Sequence, residues 1–214
     1  MDVDEQRRRA LGAEAMRLRT ELVARGVRMV AVTFVDNSGI TRVKAVPLEK
    51  LEAAAAWGIG ASPCFDAFLF NDVGVACRLE VVGDLRLHPD LGRLTALAAQ
   101  PGWAWAPADR YALDGGVHPQ DQRSLARSAT RLLTDAGYTA RCAFEVEWAL
   151  GRADAPNGDF VPAVTGPAYG AARLVERSDY LADVAVALGE QGVGVEQVHP
   201  EYGAGQFELS VASE

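Results

Sequence analysis

The sequence predicts an α+β protein in which sheets carry helices on one side. Two observations predict it. Early in the chain, β-branched residues on both sides of a turn mark a hairpin; late in the chain, two segments alternate apolar and polar residues with the period of a strand. Between and around these, further segments repeat apolar residues at helical spacing and end at glycine.

In chain order, residues 4–25 place Leu11, Ala15, Leu18 and Leu22 on one helical stripe, stopped at Gly26. RMVAVTFV and ITRVKAV, joined by the turn DNSG and closed by Pro47, form the hairpin. A short helix over 48–57 leads into the glycine-containing stretch WGIGASPCFDAFLFND. Strands are expected near 75–82 and 85–88, ending at HPD. PGWAWAPADRY and LDGGVHP, dense in Pro and Gly, read as a loop at a domain junction. Leu125, Ala129, Leu132, Leu133 and Ala136 then mark a helix closed by Gly137, and CAFEVEWAL (142–150) a strand. After the loop GRADAPNGDFVPAVTGP, a helix through Leu174, Tyr180, Leu181, Val184 and Leu188 stops at Gly189, and strands follow at 193–199 and 206–211.

With 214 residues, 22.8 kDa and 49% hydrophobic content, the chain can bury a core as one or two domains. A net charge of −8 and a pI near 5.0 argue against nucleic acid or an anionic membrane as partner. No apolar run approaches the roughly 20 residues of a membrane-spanning helix, and the charged start MDVDEQRRRALGAEAMRLR lacks a signal peptide's apolar stretch. The three cysteines, odd in number and without metal-type spacing, fit free thiols in a reducing cytoplasm.

The strand at 142–150 raises an electrostatic question. Phe144, Val146 and Trp148 alternate with Glu145 and Glu147, so both acids share a face, roughly 7 Å apart. Near a core, two such charges repel and resist desolvation. Phe207, Leu209 and Val211 likewise alternate with Gln206, Glu208 and Ser210, and Glu201 lies just before the flexible Gly203–Gly205 bend. Four carboxylates on neighbouring strands make a hard-oxygen site suited to Mg²⁺ or Mn²⁺ rather than to zinc. The same alternation also fits the solvated face of an antiparallel sheet.

FEVEW followed by HPEYGAGQFELS resembles the two acidic strands of the glutamine synthetase family, E-x-E and E-x-G-x-G-Q-x-E. FVDNSGITRVKAVP and GDLRLHPD resemble that family's hairpin and Gly–Asp segment, so four motifs recur in order over residues 28–211. The resemblance implies an N-terminal helix (1–26), a small β-grasp-like domain (27–110) and the first part of a catalytic domain with an antiparallel sheet and flanking helices (111–214). It implies that Glu147, Glu201 and Glu208 hold one metal, that Glu145 contributes to a second metal bridging the ATP phosphates, and that Glu196 approaches ATP. Asp66 corresponds to an acid that faces a neighbouring subunit's site and helps deprotonate ammonium. FDAFL departs from the family's Phe–Asp–Gly–Ser–Ser there, and a solvated loop acid is the other reading of Asp66. The implied activity is ATP-dependent ligation of glutamate to ammonia through γ-glutamyl phosphate, by a homo-oligomer.

In the family the catalytic domain continues beyond the second acidic strand, supplying a Gly–x–His segment and arginines, and the 214 residues are expected to be inactive alone. Three functions remain open: an ammonia ligase, a ligase joining glutamate to an amine or polyamine, and a non-catalytic metal-binding or interaction module. The remaining polar residues read blandly. His88 and His118 are expected as loop histidines, Trp103 and Trp105 as domain-packing residues, and Arg7, Arg8 and Arg9 as a solvated helix face.

Overall fold

The computed structural model describes residues 3–74 and 82–214; the strand expected near 75–82, with Cys77, falls almost wholly outside the described residues. The chain divides into two compact units, one ending at Tyr138 and one spanning Thr139–Glu214. No described helix is long and apolar enough to cross a membrane.

The first unit opens with helix α1 (Val3–Ala24). Its stripe of Leu11, Ala15, Leu18 and Leu22 packs into the core, as its period requires. The hairpin forms from β1 (Met29–Val35) and β2 (Thr41–Pro47), and Val30, Val32 and Phe34 point inward from alternate positions of β1. The Asp36 carboxylate organises the turn by accepting from the backbone N–H groups of Ser38 and Ile40, each at 2.9 Å. Helix α2 (Leu51–Trp57) follows a 3₁₀ turn, and its Leu51 and Ala55 join the same core. The strands β3 (Ile59–Ala61), β4 (Leu85–Pro89), β5 (Thr95–Ala96) and β6 (Trp103–Ala112) complete a sheet ordered β2-β1-β6-β4-β3, with β5 also on β6. The pairing of β1 with β6 is parallel and the others are antiparallel.

Strand β6 corrects the sequence reading, which placed a junction loop there. Its buried residues Ala104, Ala106 and Ala108 are small, so no strong apolar alternation advertises it. Pro107 offers no N–H to the ladder, yet its carbonyl accepts from Asp90 N at 2.8 Å. Trp105 Nε1 donates to Thr33 Oγ1 at 2.8 Å, which ties the tryptophan to β1 within this unit. Helix α3 (Gln122–Asp135), N-capped by Asp121, groups by its packing with the first unit. Arg123 and Arg127 reach back from it to Asp90 and Asp109.

The second unit is a three-stranded antiparallel sheet ordered β7-β9-β8, from β7 (Glu145–Ala149), β8 (Val195–Pro200) and β9 (Gln206–Val211), with helices α4 (Ala171–Glu176) and α5 (Ser178–Glu190). One helix was expected here; a break at Arg177 divides it in two. Phe207, Leu181 and Val164 form a small core with Trp148, Leu150 and Val198, and Trp148 stacks on Phe207 at 6.0 Å between centroids. Phe144 and Val146, expected to face that core, are 75% and 48% exposed, so the apolar face of β7 is covered only towards its C-terminal end. The bend before β9 needs its glycine. Gly205 has φ +73°, and a Cβ there would lie 2.6 Å from the Leu150 carbonyl oxygen.

Candidate metal centre

The polar face of the second sheet gathers the acids. Register sets Glu147 opposite Glu208 and Glu208 opposite His199, so three potential ligands form one row across three strands. Directly opposed residues have Cβ atoms roughly 4.5–5.5 Å apart. Glu145, two residues along β7, shares that face opposite Ser210. Glu201 follows β8, and its backbone N–H is held by the Gln206 carbonyl at 2.9 Å. One ligand atom from each of His199, Glu201 and Glu208 lies within 4.8 Å of the others. His199 Nδ1 is 3.3 Å from Glu201 Oε1, and its Nε2 is 3.8 Å from Glu208 Oε1.

Neighbouring side chains hold these groups in place. Tyr169, with φ +54°, donates its hydroxyl to Glu201 Oε1 at 2.5 Å and stacks its ring on His199 at 4.9 Å. The Gln206 amide donates to Glu147 Oε2 at 2.5 Å while its oxygen accepts from Gly203 N at 2.8 Å. Arg173 is fully buried and donates to the carbonyls of Glu201, Gly203 and Gln206 at 2.5, 2.6 and 2.8 Å. That fork clamps the bend carrying Glu201.

The electrostatics are those of an anionic site without its own cation. Among the described residues, no Lys or Arg pairs with Glu145, Glu147, Glu201 or Glu208. Burial, and then the charges of Glu145 and Glu201, push the Glu208 carboxyl above its ordinary range. The hydrogen bond from Tyr169, aided by the Tyr202 N–H, holds Glu201 below it despite desolvation. The same bond to Glu201 pushes the Tyr169 phenol up to about 12. A protonated phenol beside an ionised carboxylate follows, with Glu208 the acid most burdened by uncompensated charge. Carboxylates with one imidazole suit a hard divalent cation such as Mg²⁺ or Mn²⁺.

Residues 119–214, which contain all of these groups, match the glutamine synthetase catalytic domain. The chain belongs to the glutamine synthetase family. It is 56% identical over 205 residues to the γ-glutamylpolyamine synthetase GlnA3 of Streptomyces coelicolor, an alignment covering 93% of this chain and 43% of that protein. It is 27% identical over 190 residues to a glutamine synthetase of Methanosarcina mazei, covering 86% and 40%. Among solved structures, a novel glutamine synthase homolog superposes with a TM-score of 0.72 at 25% identity, over 88% of this chain and 44% of that one. Ligand-free GmaS, at 24% identity, shares the fold with a TM-score of 0.75 over 92% and 45%. The chain spans less than half the length of these relatives.

Set against the family motifs, Glu145, Glu147, Glu201 and Glu208 belong to one strand face and its flanking bend. Glu196, the expected ATP-side acid, does not join them; it is exposed at the irregularity between Val195 and Gln197 in β8. Asp66 lies in the first unit and is no solvated loop acid. Both its oxygens accept from Arg110 Nη1 at 2.8–2.9 Å, and Oδ2 also meets His118 Nε2 at 2.9 Å. His118 is therefore a buried partner rather than a surface histidine, and His88 stands in β4. Sequence reasoning missed His199, Tyr169, Arg173 and Gln206 as site residues. His199 had a signal, since it alternates with Val198 in phase with the acids; Arg173 and Tyr169, some thirty residues from Glu201, had none.

Proposed function

We propose that this chain supplies the metal-binding carboxylates of an ATP-dependent ligase that joins the γ-carboxyl group of glutamate to an amine nitrogen. The observation that carries the reading is the row Glu147–Glu208–His199 with Glu201 beside it and, among the described residues, no Lys or Arg paired with these acids. Glu147, Glu201, Glu208 and His199 would hold one divalent ion, with Glu145 placed to serve a second. A bound cation supplies positive charge for the phosphate and carboxylate oxygens that meet in such a reaction. The chain's own groups do the positioning. Tyr169 keeps Glu201 ionised and aimed, Gln206 orients Glu147, and Arg173 fixes the bend.

Two observations favour an amine, and specifically a polyamine, over ammonia. The Asp66 carboxylate is occupied by Arg110 and His118, which leaves it a poor base for ammonium. In addition, the relative at 56% identity is a γ-glutamylpolyamine synthetase. Ammonia remains the second reading, favoured by the more distant glutamine synthetase relative. ATP as co-substrate and assembly into a homo-oligomer belong to the same proposal.

A chimera tests it: this chain replaces the matching segment of the Streptomyces protein, and glutamate-dependent phosphate release from ATP is followed with a polyamine or with ammonia. Polyamine-dependent release that Glu208→Ala abolishes is the expected result. Release with ammonia alone assigns the donor to ammonia. A folded chimera inert with both overturns the ligase reading.

A further inference from the structure

The first unit contains a polar cavity that the metal centre does not use. It has a volume of about 290 Å³ and is walled by Arg7 and Arg8 of α1, Trp57 at the end of α2, Arg86 and His88 of β4, and Tyr111 of β6. The guanidinium of Arg8 lies 4.7 Å from the Trp57 ring centroid and that of Arg7 lies 5.7 Å from the Tyr111 ring, so aromatic faces hold both in position. Arg7 Nη2 also donates to the Tyr111 hydroxyl at 3.4 Å. The run expected as a solvated helix face is thus partly engaged.

Charge is what singles the cavity out. Among the described residues, Arg7, Arg8 and Arg86 form no ion pair with any Asp or Glu, although the chain has 29 acids to 21 Lys and Arg. The one carboxylate on the wall, Asp114, is turned to its own loop, where Oδ1 accepts from Gly116 N at 2.9 Å. On this wall three guanidiniums stand against one carboxylate, an excess of two positive charges in an anionic protein; the adjoining Asp90 and Asp109 are themselves paired with Arg123 and Arg127. The backbone is also cut to fit this wall. Gly58, with φ +70°, closes α2 where a Cβ would lie 2.8 Å from His88 Nε2 and 2.9 Å from Arg86 Cβ.

We propose that this cavity is a binding site for a small doubly charged oxyanion, a phosphate monoester or a dicarboxylate. Guanidinium forks pair with either through two parallel N–H···O bonds, two negative charges balance the local excess, and the volume lies near the roughly 300 Å³ lower bound of small-molecule pockets. Every wall residue belongs to the first unit, so the site is separate from the glutamate cluster.

Two reporters sit in the wall. His88 is held below its ordinary pKa by burial and then by the charges of Arg7 and Arg86, so a bound dianion raises it; Trp57 reports by fluorescence. The 214-residue chain is titrated with inorganic phosphate, with phosphoserine and with succinate, against sodium chloride at matched ionic strength. Saturable changes in the His88 ring signals, and in the part of the tryptophan emission that Trp57→Phe removes, are expected for one of these dianions and not for chloride, and the dianion that binds identifies the source. Arg86→Gln and Arg7→Gln each weaken binding about tenfold. Arg19→Gln, the same charge loss elsewhere on α1, leaves it unchanged. Arg7 is exposed, so its variant tests the site even if Arg86→Gln fails to fold. Changes that chloride reproduces, equal weakening by Arg19→Gln, or no saturable change with any of the dianions overturns the proposal.

Discussion

The two units treat their carboxylates in opposite ways. Among the described residues of the first, the buried and strand acids have arginines: Asp36 with Arg42 at 2.7 Å, Asp66 and Asp121 with Arg110 at 2.8 and 3.5 Å, and Asp109 with Arg123 and Arg127 at 3.1 and 2.9 Å. In the second, four glutamates share a sheet face and its flanking bend, and the buried Arg173 beside them donates to backbone carbonyls instead. The titration shifts record the difference. Burial pushes Asp109 up, but hydrogen bonds from Arg127 and Arg123 outweigh it and hold the group low. Burial pushes Glu208 up too, and no arginine opposes it; Glu145 and Glu201 add to the rise. An acid neutralised by the chain is structural. An acid set left negative by the chain is, on the proposed reading, a place for a cation from solution.

Breaking the first kind of site produces the largest expected effect. Arg110→Met leaves the buried Asp66 with His118 as its remaining partner, and breaking a buried charge pair from one side costs about 3–5 kcal/mol. Urea unfolding should show a loss of that order, with part of it recovered when Asp66→Asn is added. A loss under about 1 kcal/mol would mean that the pair is worth no more than a surface salt bridge. Next comes Arg173→Met. Hydrogen bonds from a charged donor contribute about 1.5–3 kcal/mol each and are not additive, so a loss near 3 kcal/mol is expected, together with weaker Mn²⁺ binding as the Glu201 bend loosens. Unchanged Mn²⁺ affinity in a folded variant would separate the clamp from the metal centre.

The smallest effect sharpens the contrast by pH. The Glu208 pKa is raised in the folded state, so its contribution to metal-free stability is fully present below its unfolded value near 4.5 and is lost as pH rises through the folded value. Glu201 is depressed; its contribution is present above 4.5 and lost as pH falls through the lower folded value. Glu208→Gln should therefore raise the melting temperature of the metal-free chain slightly at neutral pH and leave it unchanged under acid conditions. Melts in a chelator across that range check the sign.

What was legible in the sequence follows what is local. The faces of β1, β7 and β9 were readable because a strand's period places side chains whatever the tertiary surroundings, and Glu145, Glu147 and Glu208 came with them. Strand β6 was not, because its buried alanines carry little apolar signal and its pairing with β1 and β4 spans dozens of residues. Arg173 and Tyr169 escaped for the same reason, since their partners at 201–206 become neighbours only on folding. For Asp66 the sequence leaves two readings open, the family's ammonium-site acid and a solvated loop acid, because Arg110 and His118 lie 44 and 52 residues away.

The central claim is that the glutamate face of the second unit takes its positive charge from a divalent ion. Thermal unfolding of the chain with and without Mn²⁺, for the native sequence and for Glu208→Ala, tests it most directly. A hundredfold excess over the dissociation constant should stabilise the native chain by about 2.7 kcal/mol through mass action, visible as a clear rise in melting temperature, while Glu208→Ala loses most of that rise. Small, equal shifts in the two proteins would contradict the account and leave Glu145, Glu147 and Glu208 as the solvated face of an ordinary sheet.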